Sequence, residues 1–338
     1  LTITYRPVGG DPVTRVANVG PGPYVAILSA PNVVREVSHT FQAGTRMISI
    51  PITPYEQNQA QALKDPFGNP VLEQGKLLLA RWNPLLPQSY KYEMYPRTPP
   101  FAPGRGYWAK LAANINVTVT GEVPDPASEW RIGLLPGWNQ IGAPFETGVP
   151  TSSLMVEKGN DEPIPFSQAW SQGLVGRVIW KYVPGNGYEA AAALDPWEGY
   201  WIRCNVPDGV VLMVPGPRSP YRSRSVPASA GGSSRAAASV KDAWSLRLSA
   251  CSAEGGASAV TLGVAPGAAD GFDNAFDAEL PPAYGSAVLI GASIPGRAEE
   301  LSAVDTKAAG SLKTSWDVVV HPAEPSQDVI LRWQDVSS

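Results

Sequence analysis

Histidine and cysteine are nearly missing from this chain of 338 residues, which has two of each. A Ser/His/Asp or Cys/His centre needs its base within hydrogen-bond reach of the nucleophile and a third group to orient it. His39 and His321 lie far apart in sequence, each near the end of an extended segment. With one Cys or His per neighbourhood there is also no zinc-ligand spacing. Charge is sparse too. Charged residues make up 17% and the formal net charge is −4, so the basic, aromatic-interleaved face of a nucleic-acid binder is not expected. No apolar run approaches the roughly 20 residues of a helical membrane span. The first residue is Leu1 rather than Met, and we expect that a leader has been removed on export.

What the chain does have is 35 Pro, 33 Gly, 11 Trp and 43% hydrophobic residues. Frequent breakers cut it into short segments, while branched and aromatic residues suit a pleated, half-buried surface. This much apolar content is ample for packed cores. The expectation is an all-β chain of several small modules.

Two stretches repeat each other 93 positions apart: Pro103-Gly104-Arg105-Gly106-Tyr107-Trp108 and Pro196-Trp197-Glu198-Gly199-Tyr200-Trp201. The same shift carries Pro51 onto Pro144, Val117 onto Val210 and Val119 onto Leu212. A fixed period argues for repeated units. The expected division is a strand-rich leader at 1–40, a first β-repeat at 41–123 and a second at 124–216. A flexible Ser/Ala/Arg linker follows at 217–239, and 240–338 closes the chain as a sandwich of short strands. Helix-compatible inserts fall at 56–64 and 166–172.

Four sets of residues are candidates for a role. Asp270, Asp273 and Asp277 recur every three or four residues and offer oxygen ligands for calcium, although their spacing is not that of the helix-loop-helix calcium loop. A turn capped by its own Asp and Asn side chains is the stronger reading. Trp82, Trp108, Trp180 and Trp201 are candidates to pave a sugar-stacking face. Neighbours on a strand point to opposite faces, however, so one ring of each Tyr-Trp pair goes into the core and the other packs between modules or meets solvent. Cys204 and Cys251 are candidates for a disulfide clamping two modules, or for two separate buried thiols. Leu1, Ile3 and Tyr5 alternate with threonines at the N-terminus. This strand would either pair within the chain or add to the sheet edge of a neighbouring subunit.

The runs Gly44 to Pro51 and Gly137 to Phe145, with the two Pro-x-x-Gly-Tyr-Trp endings, resemble tandem β-repeat modules of large secreted bacterial surface proteins, over about residues 41 to 216. Residues 240–338, with Gly263-Val264, the Asp270-to-Asp277 cluster, Pro281-Pro282 and Leu331-Arg332-Trp333, look like a C-terminal immunoglobulin-like module of exported bacterial proteins. The resemblance implies an extracellular location and a structural or adhesive role at the cell surface, with no catalytic residues or cofactor to carry over. The expected function is a non-catalytic subunit of a surface assembly or filament that polymerises with copies of itself. A carbohydrate-binding or adhesion module that contacts surface polysaccharide is the alternative.

Overall fold

The structure, a computed structural model, describes residues 2–5, 13–16, 33–56, 58–87, 91–218, 243–252, 257–284, 288–297, 299–310, 313–322, 324 and 327–335. It is all-β, and the described residues include two short α-helices and a 3-10 turn at Thr151–Ser153. Among the described residues no helix is long and apolar enough to cross a membrane.

Strand β1 (Thr2–Tyr5) pairs antiparallel with β2 (Val13–Val16), with Ile3 opposite Arg15 and Tyr5 opposite Val13, as a two-stranded sheet of its own. The candidate assembly strand is therefore paired within the chain. Of its three named residues, Leu1 lies outside the described residues, as does all but the start of the 217–239 linker.

The first repeat comprises β3 (Val33–Phe41), β4 (Gly44–Ser49), β5 (Thr53–Pro54), α1 (Gln59–Ala62), β6 (Leu77–Trp82), β7 (Tyr92–Met94), β8 (Gly106–Leu111) and β9 (Ile115–Val123). They form two sheets, β3-β9-β5 and β4-β8-β6-β7. A boundary at residue 40 would cut β3, which pairs along its whole length with β9. Residues 33–40 thus belong to the repeat and not to a leader, because the long register with β9 places them in its sheet.

The second repeat comprises β10 (Trp130–Leu134), β11 (Gly137–Gly142), β12 (Val149–Pro150), β13 (Met155–Glu157), β14 (Ile164–Pro165), α2 (Phe166–Ser171), β15 (Trp180–Val183), β16 (Gly187–Ala190), β17 (Ala193–Leu194), β18 (Gly199–Cys204) and β19 (Val210–Val214). Its main sheets run β10-β19-β13-β14 and β11-β18-β15-β16, with β12 and β17 paired separately. The orders β11-β18-β15-β16 and β10-β19-β13 follow β4-β8-β6-β7 and β3-β9-β5 of the first repeat, while β14 and the β12-β17 pair have no counterpart there. β4 and β8 fall on β11 and β18 residue for residue under the 93-position shift, and Gly44 and Gly137 open the equivalent strands with φ of 101° and 86°. Each repeat is a β-sandwich. Its core takes Tyr107 with Ile48, Ile50 and Val117 in the first repeat, and Tyr200 with Ile141, Ile202 and Leu212 in the second.

The C-terminal module holds β20 (Trp244–Ser252), β21 (Ala257–Ala265), β22 (Ala278–Glu279), β23 (Leu289–Ser293), β24 (Leu301–Ala308), β25 (Val318–His321) and β26 (Val329–Asp335). Its strands join into one sheet, β25-β23-β24-β21-β20-β26, with β22 also on β24. An immunoglobulin-like pair of separate sheets is not what forms. β24 pairs with β23 through Leu301 and Ser302, then runs parallel to β21 from Val304 onward, so one strand bridges both layers. The sheet coils over itself and closes a core of Ala250, Val260 and Leu262 against Val288, Ile290 and Ala292.

Candidate functional site

The Pro-x-x-Gly-Tyr-Trp echo sits where the modules meet. The Ser49 N–H donates to the Trp197 carbonyl at 2.9 Å, and the Gly142 N–H donates to the Gly104 carbonyl at 3.0 Å. The 93-position shift turns one bond into the other with the two repeats exchanged. The isolated bridges Ile48 to Glu198 and Arg105 to Ile141 are related in the same way. The repeats therefore face each other as the halves of a two-fold dimer do, with one patch used twice. Such close backbone approach needs missing side chains. A Cβ on Gly106 would lie 2.3 Å from the Ile141 carbonyl oxygen, and one on Gly199 would lie 2.9 Å from that of Ile48. These two glycines open strands β8 and β18 and serve close approach.

The alternation in these strands then separates the paired rings. Tyr107 and Tyr200 enter their own cores. Trp108 and Trp201 point the other way, into a shared aromatic cluster with Met47, Trp82, Trp180 and Tyr188. Each motif Trp meets a ring from the other repeat: Trp201 is edge-on to Trp82 at 5.6 Å, and Trp108 edge-on to Tyr182 at 5.0 Å. The Gln140 Oε1 accepts the backbone N–H of Trp82 at 2.6 Å across the same seam.

The C-terminal module covers this cluster. Tyr284 stacks on Trp108 at 5.3 Å and 16°, and the Tyr188 hydroxyl donates to the Pro282 carbonyl at 2.6 Å. Ala278, Leu280 and Ala303 close the apolar contact. Burial pushes the Tyr188 and Tyr284 hydroxyls above the usual phenol range. Arg177 donates through its guanidinium to the carbonyls of Ala275, Phe276 and Asp277 at 3.2, 2.7 and 2.9 Å. At the rim, Arg203 and Arg297 share Glu279 and Glu300 at 2.8 to 3.5 Å, around a shallow cleft that Glu299 also lines. Burial raises the Glu300 carboxyl, but the two guanidiniums outweigh it and hold the group below the usual range.

Trp82, Trp108, Trp180 and Trp201 are 7%, 1%, 5% and 0% exposed, so no sugar reaches them, and the stacking assignment is corrected to inter-module packing. Cys204 and Cys251 are free thiols, and the disulfide assignment is corrected with them. Each sulfur faces a carbonyl of its own module, Val206 for Cys204 and Ile330 for Cys251. Asp270, Asp273 and Asp277 are not gathered into a ligand set, and among the described residues no group of three His, Cys, Asp or Glu could hold a metal. The Asp277 carboxylate instead accepts the N–H groups of Asp273 and Thr306, both at 2.7 Å. That bonding ties the turn which presents its carbonyls to Arg177. The sequence reading missed Arg177 and Tyr284, since a lone Arg after a glycine and a lone Tyr after two prolines carry no spacing signal.

On the first repeat's side of the two-fold, Trp197 stacks on His39 with ring centroids 4.8 Å apart. Burial, with Arg46 nearby, lowers the His39 pKa, and burial raises that of Glu198 against the pull of Arg46. No protein-family model, curated protein or solved structure matches this chain.

Proposed function

We propose that this chain is a non-catalytic extracellular structural protein, a building block of a cell-surface assembly or filament made of copies of itself. The observation that carries this reading is the junction. The motif rings Trp108 and Trp201, which the sequence also offers as sugar-stacking candidates, instead pack where the three modules meet. Large buried aromatics give such contacts both area and geometry. Polar contributions at the same seam, from Arg177, Gln140 and Tyr188, run to backbone groups of the neighbouring module rather than toward an open cleft. A chain whose conspicuous side chains hold its own modules in fixed relation suits a load-bearing part.

The test is self-association of the full chain. Sedimentation velocity over a hundredfold range of protein concentration, with negative-stain imaging of the same samples, should show species that grow with concentration into ordered polymers. A single monomer peak throughout that range would overturn the reading.

A further inference from the structure

The C-terminal sheet ends on an unfinished strand. β26 is last in its sheet and, among the described residues, pairs only with β20. The register sets Val329, Leu331 and Trp333 opposite Ser252, Ala250 and Leu248, on the side of the sheet that carries the module's core. Val329 and Leu248 pack against that core. Further along the same side the cover runs out, for Leu331 is 44% and Trp333 73% exposed. Ile330 on the opposite side is 52% exposed. A free edge with open apolar side chains on its core face is a template for an added strand.

The same chain carries the complement. β1 and β2 form a two-stranded sheet joined to no other strand among the described residues, and a lone hairpin is marginal without a third strand. Charge favours their meeting as well. Residues 1–16 carry Arg6 and Arg15 against Asp11, whereas Glu324, Asp328 and Asp335 around β26 outnumber Arg332. Among the described residues the hairpin and this edge are not joined.

We propose that the free edge of β26, with Leu331 and Trp333, receives strand β1 of a second copy of this chain, so that copies join head to tail. The proposal rests on the assembly reading above and names its acceptor surface. Such a contact uses two different patches and does not close on itself, which is the geometry of an open filament.

The experiment uses three proteins in sedimentation velocity: the wild type, a variant lacking residues 1–16, and Leu331→Arg/Trp333→Arg. The first variant keeps the acceptor, the second keeps the donor. Far-UV circular dichroism and melting temperature establish that both are folded. Growing oligomers for the wild type, monomers for each variant alone and a discrete dimer on mixing the variants 1:1 are expected. Should the wild type assemble while the shortened variant still oligomerises, or while the mixture stays monomeric, this contact is overturned and the assembly reading stands. A wild type that stays monomeric removes both. As a second readout, Thr4→Cys and Arg332→Cys proteins, each also carrying Cys251→Ser, are mixed and oxidised. A mixed disulfide dimer supports the contact. Arg332→Cys cross-linking to itself as readily as to its partner would show β26 pairing with β26 and overturn it.

Discussion

Trp197 lies flat on His39, the ring planes 4° from parallel, although the tryptophan belongs to the second repeat and the histidine to the first. The ring is counted in the first repeat's core, edge-on to Phe41. Trp197 is also the one non-glycine among the described residues with positive φ, 69°, and its equivalent in the other repeat is Gly104, at 79°. There the gap is filled from the opposite strand, since the space beside Gly104 is taken by Trp130 and Ile132. The two halves of the pseudo-dimer fill the equivalent space with a large ring from different places, the turn before β18 in one and strand β10 in the other.

A consequence is an inverted order of substitutions at Trp197. Losing the ring costs about 3 to 5 kcal/mol, while relieving a left-handed backbone at a residue with a Cβ returns about 1 to 2 kcal/mol. Trp197→Gly should therefore be less destabilising than Trp197→Ala, by about 1 kcal/mol once the greater freedom of glycine in the unfolded chain is counted. Urea unfolding of both variants checks this. Equal midpoints, or a lower one for glycine, would contradict the strain argument.

The two motif glycines should not be equal. Alanine at Gly106 places a methyl group 2.3 Å from the backbone oxygen of Ile141, and backbone on both sides leaves it only one escape, which is to part the repeats. At Gly199 the same methyl meets Ile48 at 2.9 Å. We expect a loss of about 3 kcal/mol for Gly106→Ala and about 1 to 2 kcal/mol for Gly199→Ala. Gly133→Ala is the control. Its Cβ meets nothing within 4 Å, and a strand glycine replaced there should gain about 0.5 to 1 kcal/mol. Chemical denaturation midpoints that rank the three otherwise would refute the close-approach reading.

These contrasts mark what sequence could and could not convey. The 93-position echo is read from local sequence, and under that shift β4 and β8 fall on β11 and β18, because period and branched side chains act locally. Alternation also predicts that Tyr107 and Trp108 part company. Which partner each ring finds is another matter. Trp108 meets Tyr284, 176 positions on, and nothing near either residue encodes that separation. The coiling of the C-terminal sheet was hidden for a related reason, since a parallel pair such as β21 and β24 depends on a crossover rather than on a turn signal. Val33 to Thr40 looked like a leader because its polar, exposed alternation has no core signature of its own until β9 is laid beside it.

Arg177 should act as the bolt between the second repeat and the C-terminal module. Its three donors reach three successive carbonyls, and its pKa is lowered by burial, partly offset by Asp277 and Asp273. Truncation would leave those carbonyls facing a void at the seam, at about 2 to 4 kcal/mol. Lysine has no planar fork and should recover little. Calorimetry of Arg177→Ala should show the C-terminal module melting earlier and apart from the repeats. A single transition at the wild-type temperature would remove Arg177 from this role.

Asp277 gives the junction a pH dependence whose sign follows from its environment. Burial pushes its carboxyl from the usual range up to about 6, against the two backbone N–H groups that favour the charged form, with Asp305 and Asp273 adding to the rise. A folded pKa above the unfolded one means that the native state binds the extra proton. This contribution is therefore fully present below about pH 4 and is lost as pH climbs through about 6, a swing of about 2 to 3 kcal/mol. Asp277→Asn keeps one acceptor and cannot titrate, so its stability should vary less between pH 4.5 and pH 7.5 than that of the wild type. Parallel urea titrations at the two pH values decide it. If the variant keeps the full wild-type fall in stability over that interval, the proton resides elsewhere, and Asp305, whose carboxyl burial also raises, becomes the residue to replace next.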